Sequence, residues 1–385
     1  MKREDLNAII VYLLMLAVAL VFGFTILKEY APGSNLGDLF IVYVLGAIIS
    51  GIVFNSILFE LGHVLGAKIG RYEILSVNVL GFCFYKKDGK FKFRFANFEG
   101  LTGETKIAPK EGCEKEPNPI PYLLFGTFLF LVEAVIVIVL FVMFNKISNA
   151  NQASALVRTA YFLLTILIIG TMVLVYQVMP LKLDGINDGY RLVLVSNPKN
   201  KEAFNELLRV EKAIEEGNTS VEVKTFETIT DFTADLNLNK VYLLLNNNKF
   251  DEAEPLIDAI IASKDSISRK TYIRTKAQKI YLIIMTRSLE DAAKFYEDEV
   301  PLEERREISQ DVSMQSIRAY ILMSGLLDKS ESEVLLALNK VLKAYKHTSK
   351  NRQEVEVKLY NNALKRVIEA HPKWNLNGYL LQEKE

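Results

Sequence analysis

The sequence predicts a mainly α-helical chain in two parts: a membrane-embedded domain over residues 1–198 and a helical-repeat domain over residues 199–385. Three observations predict this fold class. Half of the 385 residues are hydrophobic, and the apolar excess lies before residue 182. A lysine-rich stretch with alternating apolar and polar residues interrupts that part. Further along, apolar residues recur three and four positions apart, as in amphipathic helices.

The apolar excess falls into runs that are long enough to cross a bilayer, which takes about 20 helical residues. These runs predict about four transmembrane helices, over residues 8–27, 39–59, 120–144 and 159–181. No small-residue cleavage site follows the first run, so we interpret it as a retained span rather than a signal peptide.

Lysine and arginine collect before the first span, between the second and third spans, and after the fourth. Because cytoplasmic loops carry an excess of these residues, both termini are expected in the cytoplasm, on a multi-pass protein of the cell membrane. The lipid bilayer is thus one expected partner. The formal net charge is zero, which gives no basis for nucleic-acid binding.

The segment between the second and third spans predicts β-structure over residues 71–110. It contains "KKDGKFKFRF", in which Asp88 and Gly89 form a hairpin signal. Its lysines and phenylalanines would also suit a hairpin that lies on a lipid surface.

The second span ends in "FELGH", which holds Glu60 and His63. Residues 59 and 63 of a helix lie one turn apart on the same face. In a His-Glu-x-x-His helix, two histidines at these positions bind zinc and the glutamate acts on a metal-bound water. Phe59 stands here at the position of the first histidine. A Glu–His pair at a membrane boundary also suits simple helix pairing.

The fourth span is followed by "LDGINDGYRL", which places Asp184 and Asp188 at the same membrane face. A carboxylate there would complete a set of His, His and Asp ligands with water in the fourth position.

The two motifs resemble those of the site-2 protease family of intramembrane zinc metalloproteases. That family has HExxH in one transmembrane helix and NxxPxxxxDG in a later one, which supplies an aspartate ligand. Gln177 stands at the asparagine position, three residues before Pro180. The resemblance covers residues 37–198.

The resemblance implies that Glu60 is the general base and that His63 and Asp188 are zinc ligands, with Asp184 as the alternative. Asp184 is closer to the family spacing, whereas "DGYRL" after Asp188 is more similar to the family's continuation. The implied function is an intramembrane zinc endopeptidase, whose substrate is a transmembrane segment of a membrane protein or of a peptide precursor. The β-segment would then hold an unwound substrate as an added strand.

Phe59 offers no atom to a metal, so this chain is expected to bind zinc poorly and to be inactive. Two explanations stay open: loss of activity in a pseudoprotease, or an isolated inactivating substitution. The second is favoured because Glu60 and His63 are retained. The alternative function is a non-catalytic membrane scaffold that recruits partners through its helical repeats.

Few other residues qualify as site candidates. Glu133 is the only charged residue in the third span, and a carboxylate within a membrane span is a functional candidate. The remaining histidines, His347 and His371, lie far along in the second domain. Cys83 and Cys113 are too few for a disulfide framework and form no paired metal motif.

The sequence pattern of the second domain predicts three helix–turn–helix units, which repeat at intervals of roughly 40 residues. They begin at "LNKVYLLL", "TKAQKIYL" and "SIRAYILM". The pattern resembles a tetratricopeptide-like array, whose groove would bind a protein partner and select or position the substrate. A plain helical bundle is the alternative.

Overall fold

The computed structural model describes residues 3–26, 40–87, 90–96, 101–112, 115–151, 154–182, 186–348 and 350–382. The protein is mainly helical (74%) with one small antiparallel sheet, as the sequence predicts. The chain divides into two compact units, Met1–Lys201 and Glu202–Glu385.

The first unit, which we call the membrane unit, is built on four long apolar helices and one short helix in the described part of the chain. They are α1 (Arg3–Val21, continued by a π-helical turn over Phe22–Ile26), α2 (Phe40–Ile69), α3 (Pro119–Asn151), α4 (Ser154–Val178) and the short α5 (Asp188–Val195).

Three segments of the described residues are long and apolar enough to cross a membrane: Val42–Ile69, Pro119–Ile147 and Ala155–Val178. They correspond to the second, third and fourth predicted spans. The first predicted span is represented by a shorter apolar helix, Ile9–Phe24. The orientation in the membrane and the cytoplasmic placement of the termini stay predictions.

Helices α2 and α3 pack closely because glycines lie at their contact. A Cβ atom on Gly62 would come within 2.3 Å of the Cα of Gly126, and one on Gly66 would lie 2.2 Å from the carbonyl oxygen of Pro121. Small residues let membrane helices approach backbone to backbone. The first turns of α3 therefore lie directly against the α2 turns that carry Glu60 and His63.

The sheet lies between α2 and α3 in the chain. Its strands are β1 (Tyr72–Val79), β2 (Phe82–Lys87), β3 (Lys90–Phe95) and β4 (Gly103–Pro109). Their order is β3-β2-β1-β4, and all neighbours are antiparallel. The predicted hairpin is the β2–β3 pair, although its turn at Asp88-Gly89 lies outside the described residues. The sheet is larger than that hairpin because β4 returns to pair with β1.

The second unit contains helices throughout. They are α6 (Pro198–Glu215, which begins just before the division), α7 (Asp231–Asn246), α8 (Phe250–Ala262), α9 (Arg269–Thr286), α10 (Leu289–Glu299), α11 (Leu302–Gln310), α12 (Met314–Leu322), α13 (Glu331–His347) and α14 (Lys350–Ala370). The predicted helix–turn–helix units correspond to α7–α8, α9–α10 and α12–α13, with α11 inserted before the last. A tetratricopeptide-like array stays a prediction.

Candidate active site

Glu60 and His63 lie three residues apart on α2, on the part of the helix that faces α3 and the sheet. Their exposed fractions are 2% and 5%. Burial of an ionisable side chain is costly unless it finds polar partners, so the partners of these two residues define the site.

The imidazole of His63 is held by the backbone of α3. Its Nδ1 lies 2.9 Å from the carbonyl oxygen of Tyr122. A carbonyl only accepts hydrogen bonds, so Nδ1 carries the proton and donates it. In the neutral ring, Nε2 is then left with a free lone pair. A backbone carbonyl on the far nitrogen is the usual support of a metal-binding histidine.

Asp188 is the group that Nε2 of His63 faces. Its Oδ2 lies 3.3 Å from that nitrogen, although the two residues belong to distant parts of the chain. The other oxygen, Oδ1, lies 3.3 Å from the guanidinium of Arg191. A lone pair and a carboxylate repel each other, so this pair requires a proton or another cation between the two atoms. Asp184 lies outside the described residues.

Asn187 sets the position of Asp188, the first residue of α5. Its Oδ1 accepts from the backbone nitrogens of Leu181 and Tyr190, both at 3.0 Å, and its Nδ2 donates to the carbonyl of Met179 at 2.7 Å. Asn187 is thus the N-cap of α5 and joins it to the end of α4. The residue was not a sequence-predicted site residue, although an asparagine before a helical run is a recognisable N-cap signal.

The residue after Asp188 is Gly189, and close packing against α4 requires a glycine there. A Cβ atom at this position would lie 2.2 Å from the carbonyl oxygen of Val178. The start of α5 therefore rests directly on the last turn of α4, an approach that only glycine permits. This contact fixes the distance of Asp188 from the membrane helices.

Glu60 is held by two hydroxyl groups, one from Thr102 just before β4 and one from Thr105 within β4. The Oγ1 atoms of Thr102 and Thr105 donate to its two carboxylate oxygens, at 2.9 and 2.7 Å respectively. The phenol of Tyr122 donates to the carbonyl of Thr105 at 2.9 Å, which joins the strand to α3. Sequence reasoning missed both threonines, because no local signal links them to a helix more than forty positions earlier.

Phe59 occupies the position at which the His-Glu-x-x-His pattern has its first histidine, and its side chain is packed in the helix core. Its side chain is 1% exposed and stacks on Phe130 of α3 at a centroid distance of 6.0 Å. Val137, Leu167 and Val173 complete the same buried cluster. Position 59 is therefore an integral part of the helix core and offers no donor atom to the site.

Zinc does not fit these residues as they stand. His63 and Asp188 present two donor atoms in a suitable arrangement, but a catalytic zinc needs three protein ligands. Within the described ranges, no three His, Cys, Asp or Glu side chains are grouped so that they could hold a metal ion.

The other candidates lie outside this arrangement. Glu133 of α3 is buried, at 7% exposure, and neither of its carboxylate oxygens has a hydrogen-bond partner among the described residues. In the second unit the ring of His371 stacks on Trp374 at 4.0 Å. The side chain of His347 and all of Cys113 lie outside the description, and Cys83 is a buried free thiol.

The chain matches no protein-family model, no curated protein and no solved structure. The resemblance to site-2 proteases thus depends on the two motifs and on the arrangement of Glu60, His63 and Asp188.

Proposed function

We propose that the membrane unit is an intramembrane peptidase of the site-2 type, inactive in this chain because Phe59 replaces one zinc ligand. The observation that carries the proposal is the approach of Asp188 to His63, at 3.3 Å. A second buried carboxylate, that of Glu60, lies on the same helix as His63. Two motifs that are far apart in the sequence supply these groups, and the proposed mechanism needs them together.

In the proposed active form, Glu60 is the general base and His63 and Asp188 are two of the three metal ligands. A bound zinc would supply Lewis-acid chemistry and a water of lowered pKa. The chain's own contribution is orientation: Tyr122 holds the ring of His63, and Asn187 holds the backbone before Asp188.

The proposed substrate is a transmembrane segment of another membrane protein or of a peptide precursor. Support comes from the location of the site, which lies on a helix of membrane-crossing length and composition. A segment that leaves the bilayer could pair with the outer edge of β3, because an edge strand has main-chain groups that can receive another strand. That edge belongs to the sheet whose threonines hold Glu60.

Restoration of the third ligand tests the proposal. Phe59→His should give about one bound zinc per chain and cleavage of a model transmembrane peptide, whereas the unchanged chain should show little of either. Metal content is measured by mass spectrometry on purified protein, and cleavage by the appearance of peptide fragments in reconstituted vesicles.

Two control variants isolate the ligand effect. Phe59→Leu changes the packing at position 59 without adding a donor atom, and Phe59→His combined with His63→Ala removes the second ligand. Neither should bind zinc. A Phe59→His protein that folds but gains neither metal nor cleavage would show that the peptidase assignment is wrong.

The second candidate is a non-catalytic scaffold that binds membrane segments and recruits partners through its second unit. The close packing of Phe59 against Phe130 favours it, because the substituted position leaves no hole in the helix core. The unchanged chain should then capture a photo-crosslinkable transmembrane peptide as well as an uncleaving Phe59→His, Glu60→Gln variant does. Capture by the double variant alone would exclude the scaffold.

A further inference from the structure

Five phenylalanines cover one face of the β2–β3 hairpin: Phe82, Phe84, Phe91, Phe93 and Phe95. Each is between 47% and 75% exposed. The register pairs Phe82 with Phe95 and Phe84 with Phe93, so their side chains share a face. We call this surface the phenylalanine face.

Four rings of the phenylalanine face contact one another and form a continuous surface: Phe82, Phe84, Phe93 and Phe95. Ring centroids lie 5.4 Å apart for Phe82 and Phe95, 5.4 Å for Phe84 and Phe93, and 5.1 Å for Phe93 and Phe95. Scattered exposed hydrophobic residues are common, but a contiguous patch marks an interaction surface.

The opposite face of the same two strands is basic. Lys90, Lys92 and Arg94 alternate with the phenylalanines along β3, and all three are exposed. The Arg94 guanidinium lies 5.0 Å from the centre of the Tyr85 ring on that side. The hairpin is therefore amphipathic across its thickness, with aromatic residues on one side and cations on the other.

The register also gives the direction in which the phenylalanine face points. A row of paired residues crosses the sheet on one face: Phe93, Phe84, Val77 and Thr105. Thr105 ends that row and donates its hydroxyl to Glu60 of α2. The phenylalanine face thus lies on the side of the sheet that faces the helices. Strand twist turns it by roughly 60–75° over three steps, which is less than a right angle.

The sheet is held at the boundary of the membrane helices. Strand β1 begins at Tyr72, shortly after α2 ends at Ile69, and α3 begins at Pro119, soon after the end of β4. Both helices include candidate membrane spans. An apolar face that points toward the helices from this position points toward the bilayer that they cross.

We infer that the β2–β3 hairpin is docked in the interface of the bilayer, with the phenylalanine face among the upper acyl chains and the basic face among anionic headgroups. Interfacial segments bury their apolar face about 5–10 Å below the headgroup boundary. Lysine and arginine near that boundary are attracted to anionic lipids. Lys86, exposed on the aromatic side near the turn, has a stem long enough to reach the headgroups.

An added protein strand would account for less of the surface. A strand that pairs with the edge of β3 binds its backbone groups and leaves the five rings uncovered. A bilayer covers all of them at once and matches the sign of the opposite face. The inference does not depend on catalytic activity, so its failure and that of the peptidase proposal are distinguishable.

Tryptophan fluorescence tests the inference in the full chain. The chain has one tryptophan, which Trp374→Phe removes while it keeps an aromatic ring against His371. In that background, Phe93→Trp reports on the phenylalanine face and Tyr85→Trp on the opposite face of the same hairpin. Each protein is reconstituted in vesicles of phosphatidylcholine and phosphatidylglycerol. Fluorescence is quenched either by lipids brominated in the upper acyl chain or by iodide in the buffer.

The tryptophan at position 93 should be quenched by the brominated lipid, should resist iodide and should emit at shorter wavelength. The one at position 85 should show a several-fold weaker effect of the brominated lipid and a stronger effect of iodide. Quenching of position 93 by iodide alone would overturn the inference. Resistance of position 93 to both quenchers would also overturn it, because a protein segment would then cover the face. If the Phe93→Trp protein does not fold, Phe91→Trp places the probe on the same face at a more exposed position.

Discussion

Arg318 of the second unit and two buried carboxylates of the membrane unit, Glu60 and Glu133, find different kinds of partner. In the second unit, Arg318 is fully buried and donates to Glu356 at 2.5 Å. In the membrane unit, the buried carboxylate of Glu60 is held by neutral threonine hydroxyls, and that of Glu133 has no hydrogen-bond partner among the described residues. A buried ion pair that satisfies its own charges is structural, whereas an uncompensated carboxylate costs stability and marks a place where another group is expected.

The pairing in the second unit joins helices. Arg318 of α12 also donates to Gln278 of α9 at 2.8 Å and lies 5.0 Å from the ring centre of Tyr281. Together with Glu356 of α14, these contacts connect three helices through one side chain. The difference teaches that burial of a charged side chain does not by itself identify a functional site. A buried charge that is paired with an opposite charge is structural, whereas one without such a partner is a functional candidate.

The largest expected effect comes from breaking the structural pair. Arg318→Met leaves Glu356 buried without a counter-charge and should lower the free energy of unfolding by about 3–5 kcal/mol. The measurement is urea unfolding of a fragment of residues 199–385, which we expect to fold alone because its apolar positions are periodic. Adding Glu356→Leu should restore most of the loss. A loss below about 1 kcal/mol would show that the pair is not structural.

The next effect tests the carboxylate of the membrane unit that faces His63. In a Phe59→His background, Asp188→Asn should abolish zinc binding and lower cleavage by about 100-fold, since a ligand is removed. Asp184→Asn should have a mild effect. Metal content and peptide cleavage measure both. The reverse ranking would assign the ligand role to Asp184, and equal losses would mean that the polar network of the whole loop carries the effect.

The smallest effect concerns a carboxyl of the second unit that has like-charged neighbours. Burial, and then the carboxylates of Asp231 and Glu211, raise the pKa of Asp235 to about 7, against the opposing influence of Thr271 and Arg274. An aspartate in the unfolded chain ionises near pH 4. The stability that Asp235 contributes is therefore complete below about pH 4, falls as the pH rises toward about 7, and is constant above it.

Asp235→Asn removes this titration. The variant should be more stable than the unchanged fragment by about 1–2 kcal/mol at pH 8 and nearly equal to it at pH 4.5. Urea unfolding of residues 199–385 at the two pH values measures the difference. An equal loss of stability at both pH values would contradict this prediction. It would show that the hydrogen bond from Thr271 to the carboxylate matters more than the cost of burying its charge.

Local patterns in the sequence account for the elements of the fold. Apolar runs of bilayer length predicted α2, α3 and α4, because span length is a property of composition. The turn signal at Asp88-Gly89 predicted the β2–β3 pair, since a hairpin is a local structure. The predicted β-segment over residues 71–110 includes β4, but no local pattern predicted that β4 pairs with β1, because that pairing spans a long separation in the chain.

The site residues likewise divide into those that local patterns predicted and those that they did not. The sequence identified Glu60, His63 and two aspartates from motif spacing, and it identified Phe59 as the position without a donor atom. It did not identify Thr102 or Thr105.

The sequence by itself determined the elements of this protein and the residue types offered to the site, because helix length, hairpin turns and motif spacing are local properties. Only the tertiary structure decided which groups meet. Close packing of Gly62 on Gly126 brings α3 against His63. Close packing of Gly189 on the end of α4 brings Asp188 to the imidazole ring of His63. These contacts depend on distances between backbones that are remote in the chain, and no local pattern of residues encodes them.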